Sequence, residues 1–222
     1  MIRRTLAAAA ALALSACAAP NMTAEQAAMA REVLLTPASV EVMRWGDGPP
    51  RTFIRVDGLI GPLMVDDFDR AVALAERSNT GDAPIAVHLA SRGGALNTAI
   101  ALGQRIRAGG YETVIREGEV CFSACTIMWL SGSQKWIHRN GAVGFHEPIP
   151  ATLDGSIAEA RALVTEYVVS IGYSPEFADH MMSVPFDSAL ALTAQDNERF
   201  GLGVRVFGID GSRSLPDEPL TP

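Results

Sequence analysis

Ile85-Ala86-Val87-His88-Leu89-Ala90-Ser91-Arg92-Gly93-Gly94 runs from a strand-like apolar segment into a turn of paired glycines, and Ala95 to Ala108 then take up helical spacing. Paired glycines at such a turn free the backbone to approach a ligand and to aim N–H groups outward. On its own this is common turn chemistry. Upstream, Thr52-Phe53-Ile54-Arg55-Val56 reads as a strand. Met64 to Ser78 is helical, with Phe68, Val72 and Ala75 on one face and Asp66, Asp67, Asp69 and Glu76 elsewhere. Downstream follow a strand at Thr113–Ile115, a helix at about Ser123–Leu130, and short strands at Lys135–His138 and Ala142–Phe145. Helices at about Ser156–Ile171 and Pro175–Met182 precede a closing Gly203–Val206 strand. Strands alternating with helices over this length predict an α/β fold, a mostly parallel twisted sheet covered by helices. In the Ser156–Ile171 helix, Ile157, Ala160, Leu163, Tyr167 and Val168 are candidates for core or for an interface.

Three turns fall at predicted strand ends, where open α/β folds place their sites. The glycine pair is the first. Phe122-Ser123-Ala124 is the second, between a strand and an apolar helix. A serine there caps the helix, or serves as a nucleophile whose oxyanion is stabilised by the terminal N–H groups. Gly144-Phe145-His146-Glu147-Pro148 is the third. A histidine after a strand is structural, or is the neutral imidazole that a serine hydroxyl needs to lose its proton.

In order and spacing, Val87 to Pro148 resembles the proteolytic subunit of the ATP-dependent Clp protease, of the Clp/crotonase superfamily. The matching segments are Ser91-Arg92-Gly93-Gly94, Phe122-Ser123-Ala124-Cys125 leading to Gly132, and Phe145-His146-Glu147-Pro148. The chain is also similar to a group of exported Clp-like bacterial proteins with cysteines beside the serine. The resemblance implies Ser123 as nucleophile, His146 as general base, and the amides of Gly94 and Ala124 as the oxyanion hole. It implies a third triad member shortly before Leu192-Thr193-Ala194. Strict counting lands on Ala189, so Asp187 is the candidate, to hold the imidazole tautomer; Asp187 also reads as a turn residue capping a helix. Without it the site would work as a dyad. Arg92 stands where the family has Pro, and Phe122 where it has a small residue; Phe122 is expected to pack under the serine turn or to narrow the groove. His88 is expected in the core or on a sheet face, and His138 and His180 exposed or half-buried. Lys135, the only lysine, falls past the serine helix, away from a Ser–Lys role.

The termini add an address. Met1-Ile2-Arg3-Arg4 and the apolar run Thr5–Ala16 form a secretory signal too short to span a membrane comfortably. Leu14-Ser15-Ala16-Cys17 matches a lipobox, making Cys17 a lipidation site on a periplasm-facing, outer-membrane lipoprotein. Ordinary cleavage after an Ala-x-Ala-like site, for which Ala16-Cys17-Ala18 would serve, is the alternative and would give a soluble periplasmic protein. Residues 17–50 read as a tether with a short helix from Thr23 to Arg31, residues 51–210 as the Clp-like domain and 211–222 as a tail. Removing residues 1–16 takes away two arginines and no acids from a chain already at −7, so nucleic acid is an unfavourable partner. Cys121 and Cys125 then form a disulfide in an oxidising compartment, or stay buried thiols; a lone CxxxC pair makes a poor zinc site.

Together these readings describe an exported serine peptidase acting without ATP on peptides or unfolded segments. It would need no cofactor, metal or ATPase partner, would assemble as a homo-oligomer, and would meet the membrane through Cys17. The alternative is a catalytically silent Clp/crotonase-fold assembly module, its serine turn locked by the cysteine bridge. A crotonase-type enzyme acting on CoA thioesters shares the fold without the Ser–His pair.

Overall fold

The computed structural model of the chain describes Ala28 and residues 39–45, 51–79, 84–150 and 155–208. The expected signal segment 1–16, Cys17, the expected 211–222 tail and, apart from helical Ala28, the expected short helix of the tether lie outside the described residues.

Two sheets form. The larger runs in the order β1 (Ser39–Trp45), β2 (Arg51–Asp57), β3 (Ala86–Ala90), β4 (Glu112–Ile115), β6 (Lys135–His138), β9 (Val204–Phe207). Only β1 is antiparallel to its neighbour; the other pairings are parallel. The smaller sheet orders β5 (Val120–Phe122), β7 (Ala142–Phe145) and β8 (Leu190–Ala191), with β5 and β7 parallel. A bridge between Ser91 and Cys121 carries the line of β3 into it. The α/β reading holds, but the parallel strands are shared between two sheets rather than laid in one.

Helices α1 (Met64–Ser78), α2 (Leu96–Ala108), α3 (Ala124–Leu130), α4 (Ile157–Ser170), α5 (Pro175–Met181) and α6 (Ala194–Arg199) complete the fold. Helix α1 buries Met64, Phe68, Ala71 and Ala75, one stripe at helical spacing, and Val72 lies at its edge. Helix α3 buries every residue from Ala124 to Leu130, so its apolar character all round is what an interior helix requires. Burying side chains such as Ile127, Met128 and Leu130 stabilises by roughly 1.5–3 kcal/mol each. Capping boxes start α4 (Ser156 with Glu159) and α6 (Thr193 with Asp196), while Ser174 and Pro175 start α5.

Ser39–Trp45, expected to belong to the tether, pair with β2 through the whole of β1. Val40 and Val42 alternate with Glu41, a period too short to stand out beside the glycine–proline run that follows. On α4, Ala160, Val164, Tyr167 and Val168 are core, whereas Ile157 and Leu163 are exposed. His138 is buried against Phe207, a correction to its expected exposure, because β9 covers it.

Below the strand ends lies a partly buried polar network. Arg55 Nη1 donates to His88 Nδ1 at 3.1 Å, so the proton of the fully buried His88 sits on Nε2, which donates to Glu119. Arg55 also donates to Glu119 at 3.1 Å and to Asp57. Burial opposes the Glu119 charge, yet the bonds from His88 and the charge of Arg55 hold its pKa below the ordinary value. The network ties β2 and β3 to the residue before β5.

A methyl on Gly103 of α2 would lie 2.4 Å from Tyr167 Oη of α4 and 2.6 Å from Ser131 Oγ, just past α3. Gly103→Ala is expected to cost about 1–3 kcal/mol in chemical denaturation, as overpacked cores do. Tyr167→Phe added to it should recover part of the loss, because the hydroxyl is what the methyl meets. No recovery would place the strain elsewhere.

Candidate active site

Three turns leave adjacent strand ends on the same side. The register pairs Phe122 with Gly144, so Ser123 and the Phe145-His146 segment emerge together from β5 and β7. The Ser91–Cys121 bridge brings the turn after β3 beside them. Parallel strands put their carboxyl ends at one edge, and that topology gathers residues distant in sequence.

Ser123 does not cap its helix. Its hydroxyl makes no cap hydrogen bond, and its backbone sits at φ 56°, ψ −129°. Among the described residues it is the only non-glycine at positive φ. Such a conformation costs of order 1–3 kcal/mol and persists only where the surroundings impose it. Here they do. Ser123 N–H donates to Gly144 O (3.1 Å), and its carbonyl accepts from Thr126 N (3.0 Å) and Thr126 Oγ1 (2.6 Å). The Cys121–Cys125 disulfide spans the turn, its Cα atoms 5.3 Å apart and both residues fully buried. A strained strand-to-helix turn that leaves a serine hydroxyl uncommitted is the geometry of a nucleophile elbow. The bridge coexists with that geometry. Phe122 packs its ring on Gly144, where a methyl would fall 1.9 Å from Cε1, so the large residue before the serine is accommodated by the missing side chain opposite.

The glycine turn fits against the elbow with no room to spare. A methyl on Gly93 (φ 104°) would lie 2.7 Å from Ser123 Cβ, 2.8 Å from Phe122 O and 3.0 Å from Ala124 N. On its other side, Ile60 N donates to Gly93 O and Ala95 N to Ile60 O, both at 2.8 Å. A methyl on Gly94 (φ 143°) would stand 2.3 Å from Ile60 O. The amides of Gly94 and Ala124 have no acceptor among the described residues. Two uncommitted N–H groups beside an elbow are what an oxyanion requires.

His146 is half-buried, and its Nδ1 lies 2.7 Å from Glu147 O. A carbonyl only accepts, so the proton is on Nδ1 and Nε2 keeps its lone pair. Burial lowers the imidazole pKa below its usual 6.5, against the raising effect of that bond, so the neutral base form is favoured. No hydrogen bond joins Ser123 Oγ to the imidazole among the described residues; without substrate such bonds are often open.

Asp187 is exposed, with a carboxylate that accepts from Ser188 Oγ (3.3 Å) and not from His146 among the described residues. Its neighbour Phe186 meets the His146 ring edge-on, centroids 5.0 Å apart. The segment expected to supply the third group is therefore adjacent, but the Nδ1 partner is a peptide carbonyl. Sequence reasoning missed the Glu147 carbonyl; the one available signal is Pro148, which restricts the residue before it to extended conformations.

Lys135 places Nζ 5.7 Å from the centroid of the Tyr173 ring, where burial and then the charge of Arg107 lower its pKa. Among the described residues no group of three or more His, Cys, Asp and Glu side chains could hold a metal ion.

No family model matches the chain, and no curated protein sequence matches it. Solved structures do share its fold. A variant of the membrane-bound stomatin-specific protease 1510-N, in complex with a substrate peptide, is 23% identical over 71% of this chain and 75% of that one, with a TM-score of 0.53. ClpP1 from Listeria monocytogenes is 17% identical over 72% and 93%, TM-score 0.54, and the ClpP catalytic domain from Plasmodium falciparum 15% over 71% and 85%, TM-score 0.52. The fold is thus the Clp-like one that the sequence motifs suggested.

Gly93→Ala should lower stability by about 2 kcal/mol or more and disturb the elbow, because its methyl meets main-chain atoms as well as a strained φ. Gly118→Ala, also at positive φ (71°) but facing open space, should cost only the backbone strain of about 1–2 kcal/mol. Equal losses in denaturant titrations would contradict the close packing of the glycine turn.

Proposed function

We propose that the chain is a serine peptidase working through a Ser123–His146 dyad, independent of ATP, on peptides or unfolded segments. The observation that carries this is the uncapped Ser123 at positive φ, set against the glycine turn, with the Gly94 and Ala124 amides free of acceptors among the described residues. Ser123 Oγ attacks the scissile carbonyl while His146 Nε2 takes the hydroxyl proton. The carbonyl oxygen becomes an anion and accepts from the Gly94 and Ala124 amides. Collapse breaks the C–N bond, and the imidazolium returns its proton to the leaving amine. Water, deprotonated by the same nitrogen, then releases the acyl group and restores Ser123. Throughout, Nδ1–H stays on the Glu147 carbonyl, which preserves the tautomer and orientation that a triad carboxylate would. A neutral carbonyl stabilises the imidazolium less than a carboxylate, so turnover is expected to be slow.

The stomatin-specific protease of the same fold was solved with a substrate peptide, which supports a peptide substrate here. Export and a lipid anchor at Cys17 are supported by the basic and apolar start of the chain, and an oxidising compartment by the Cys121–Cys125 bridge. Outside the cytoplasm no ATP-driven unfoldase is available, which favours flexible substrates.

A fluorophosphonate probe should label the wild type at Ser123 and leave Ser123→Ala untouched; a wild type as resistant as Ser123→Ala would sink the nucleophile assignment. Asp187→Asn should label within about threefold of wild type, whereas a triad aspartate would cost orders of magnitude. The base must be neutral to accept a proton, so activity should fall only as pH drops through a value below 6.5. An acid limb at or above pH 7 would contradict the buried imidazole as base.

A further inference from the structure

Glu147 is restrained at every polar group it has. Its N–H donates to Val184 O at 2.8 Å, its carbonyl accepts from His146 Nδ1 at 2.7 Å, and its carboxylate accepts from Arg161 Nη1 at 3.0 Å. Pro148 narrows its backbone further. The same Arg161 Nη1 donates to Met182 O at 2.9 Å, just past α5. Met182 opens the loop that carries Val184, which takes the Glu147 N–H, and Phe186, whose ring meets His146 edge-on. Arg161 stands near the start of α4, whose first turn is fixed by its capping box. One guanidinium thus joins the two segments that between them hold the imidazole.

Resting on the dyad proposed above, we infer that Arg161 is the positioning residue of the base, clamping Glu147 to the Met182–Phe186 loop so that the Glu147 carbonyl stays where the Nδ1–H of His146 needs it. It stands in for the orienting role of a triad carboxylate, at one remove and through a peptide bond. A plain surface ion pair does not account for this placement. The Arg161 and Glu147 side chains are 34% and 30% exposed, a setting in which an ion pair adds little stability. What the contact fixes is position: Glu147 is held through its carboxylate by Arg161 and through its N–H by Val184, and the extended backbone that Pro148 favours then sets where the carbonyl points.

The test uses the full chain and the variants Arg161→Met, Arg161→Lys and Glu147→Ala. Fluorophosphonate labelling of Arg161→Met should slow by about 10- to 100-fold, the scale of a misplaced catalytic group, with a thermal midpoint close to wild type. Arg161→Lys should restore most of the rate, since an ammonium can donate to both the Glu147 carboxylate and the Met182 carbonyl. Glu147→Ala should slow labelling similarly, and the double variant no further than either single one. Nitrogen NMR of the His146 ring, assigned with His146→Gln, should show one Nδ1–H tautomer in wild type and a mixture in Arg161→Met. Wild-type labelling with an unchanged tautomer in Arg161→Met would overturn the inference. So would parallel losses of rate and thermal stability that Arg161→Lys fails to repair. Should Arg161→Met not fold, Glu147→Ala removes the same clamp and decides the matter by the same readouts. If the wild type itself resists the probe, the dyad is wrong, and the tautomer alone then decides whether Arg161 orients His146.

Discussion

The hydrogen bond from Ser123 N–H to Gly144 O is the constraint on which the site depends. It holds a non-glycine residue at φ 56° by joining the end of β5 to β7, and β7 is the strand that delivers His146. Thr126 and the disulfide secure the other side of the same turn. The strain of order 1–3 kcal/mol at one residue is thus borne by contacts from three directions, which is how strained site residues survive in a marginally stable fold. Every other part of the site is placed relative to that turn. The glycine pair can approach it only because Gly93 lacks a side chain, and Phe122 can sit beneath it only because Gly144 does.

Much of this was legible in the sequence, for physical reasons. Helices α1 and α4 announce themselves by apolar stripes, and the paired glycines by a freedom that only a close approach uses. The spacing of the three turns is legible because parallel strands must present their carboxyl ends together. Less legible were β8, two residues long, and β1, whose alternation of Val40 and Val42 with Glu41 breaks at Met43-Arg44 before a glycine–proline run. Asp187 illustrates a different gap. Position along the chain put a carboxylate in the right loop, and the loop does reach His146 through Phe186, but side-chain direction is a three-dimensional property. The Nδ1 partner is a main-chain carbonyl, which no residue type advertises.

A peptide carbonyl as orienting group has consequences for how the site is built. A carboxylate can be placed by one side chain; a carbonyl must be placed by the whole segment that contains it. That accounts for the restraints gathered on Glu147, from Val184, Arg161 and Pro148 together. The partly buried Arg55–His88–Glu119 network does comparable work on the other flank, tying β2 and β3 to the approach of β5 and so to the elbow. Polar networks of this kind specify one arrangement when each member has a partner.

The most direct measurement of the central claim is a crystal structure of the protein with a peptide boronate. The account predicts a covalent bond from Ser123 Oγ to boron, with Ser123 still at positive φ. One boronate oxygen should lie about 2.7–3.1 Å from the amides of Gly94 and Ala124, with His146 Nε2 within hydrogen-bond reach. A boronate left unbonded, or bonded with its oxygens turned away from both amides, would contradict the claim that these three turns form one hydrolytic site.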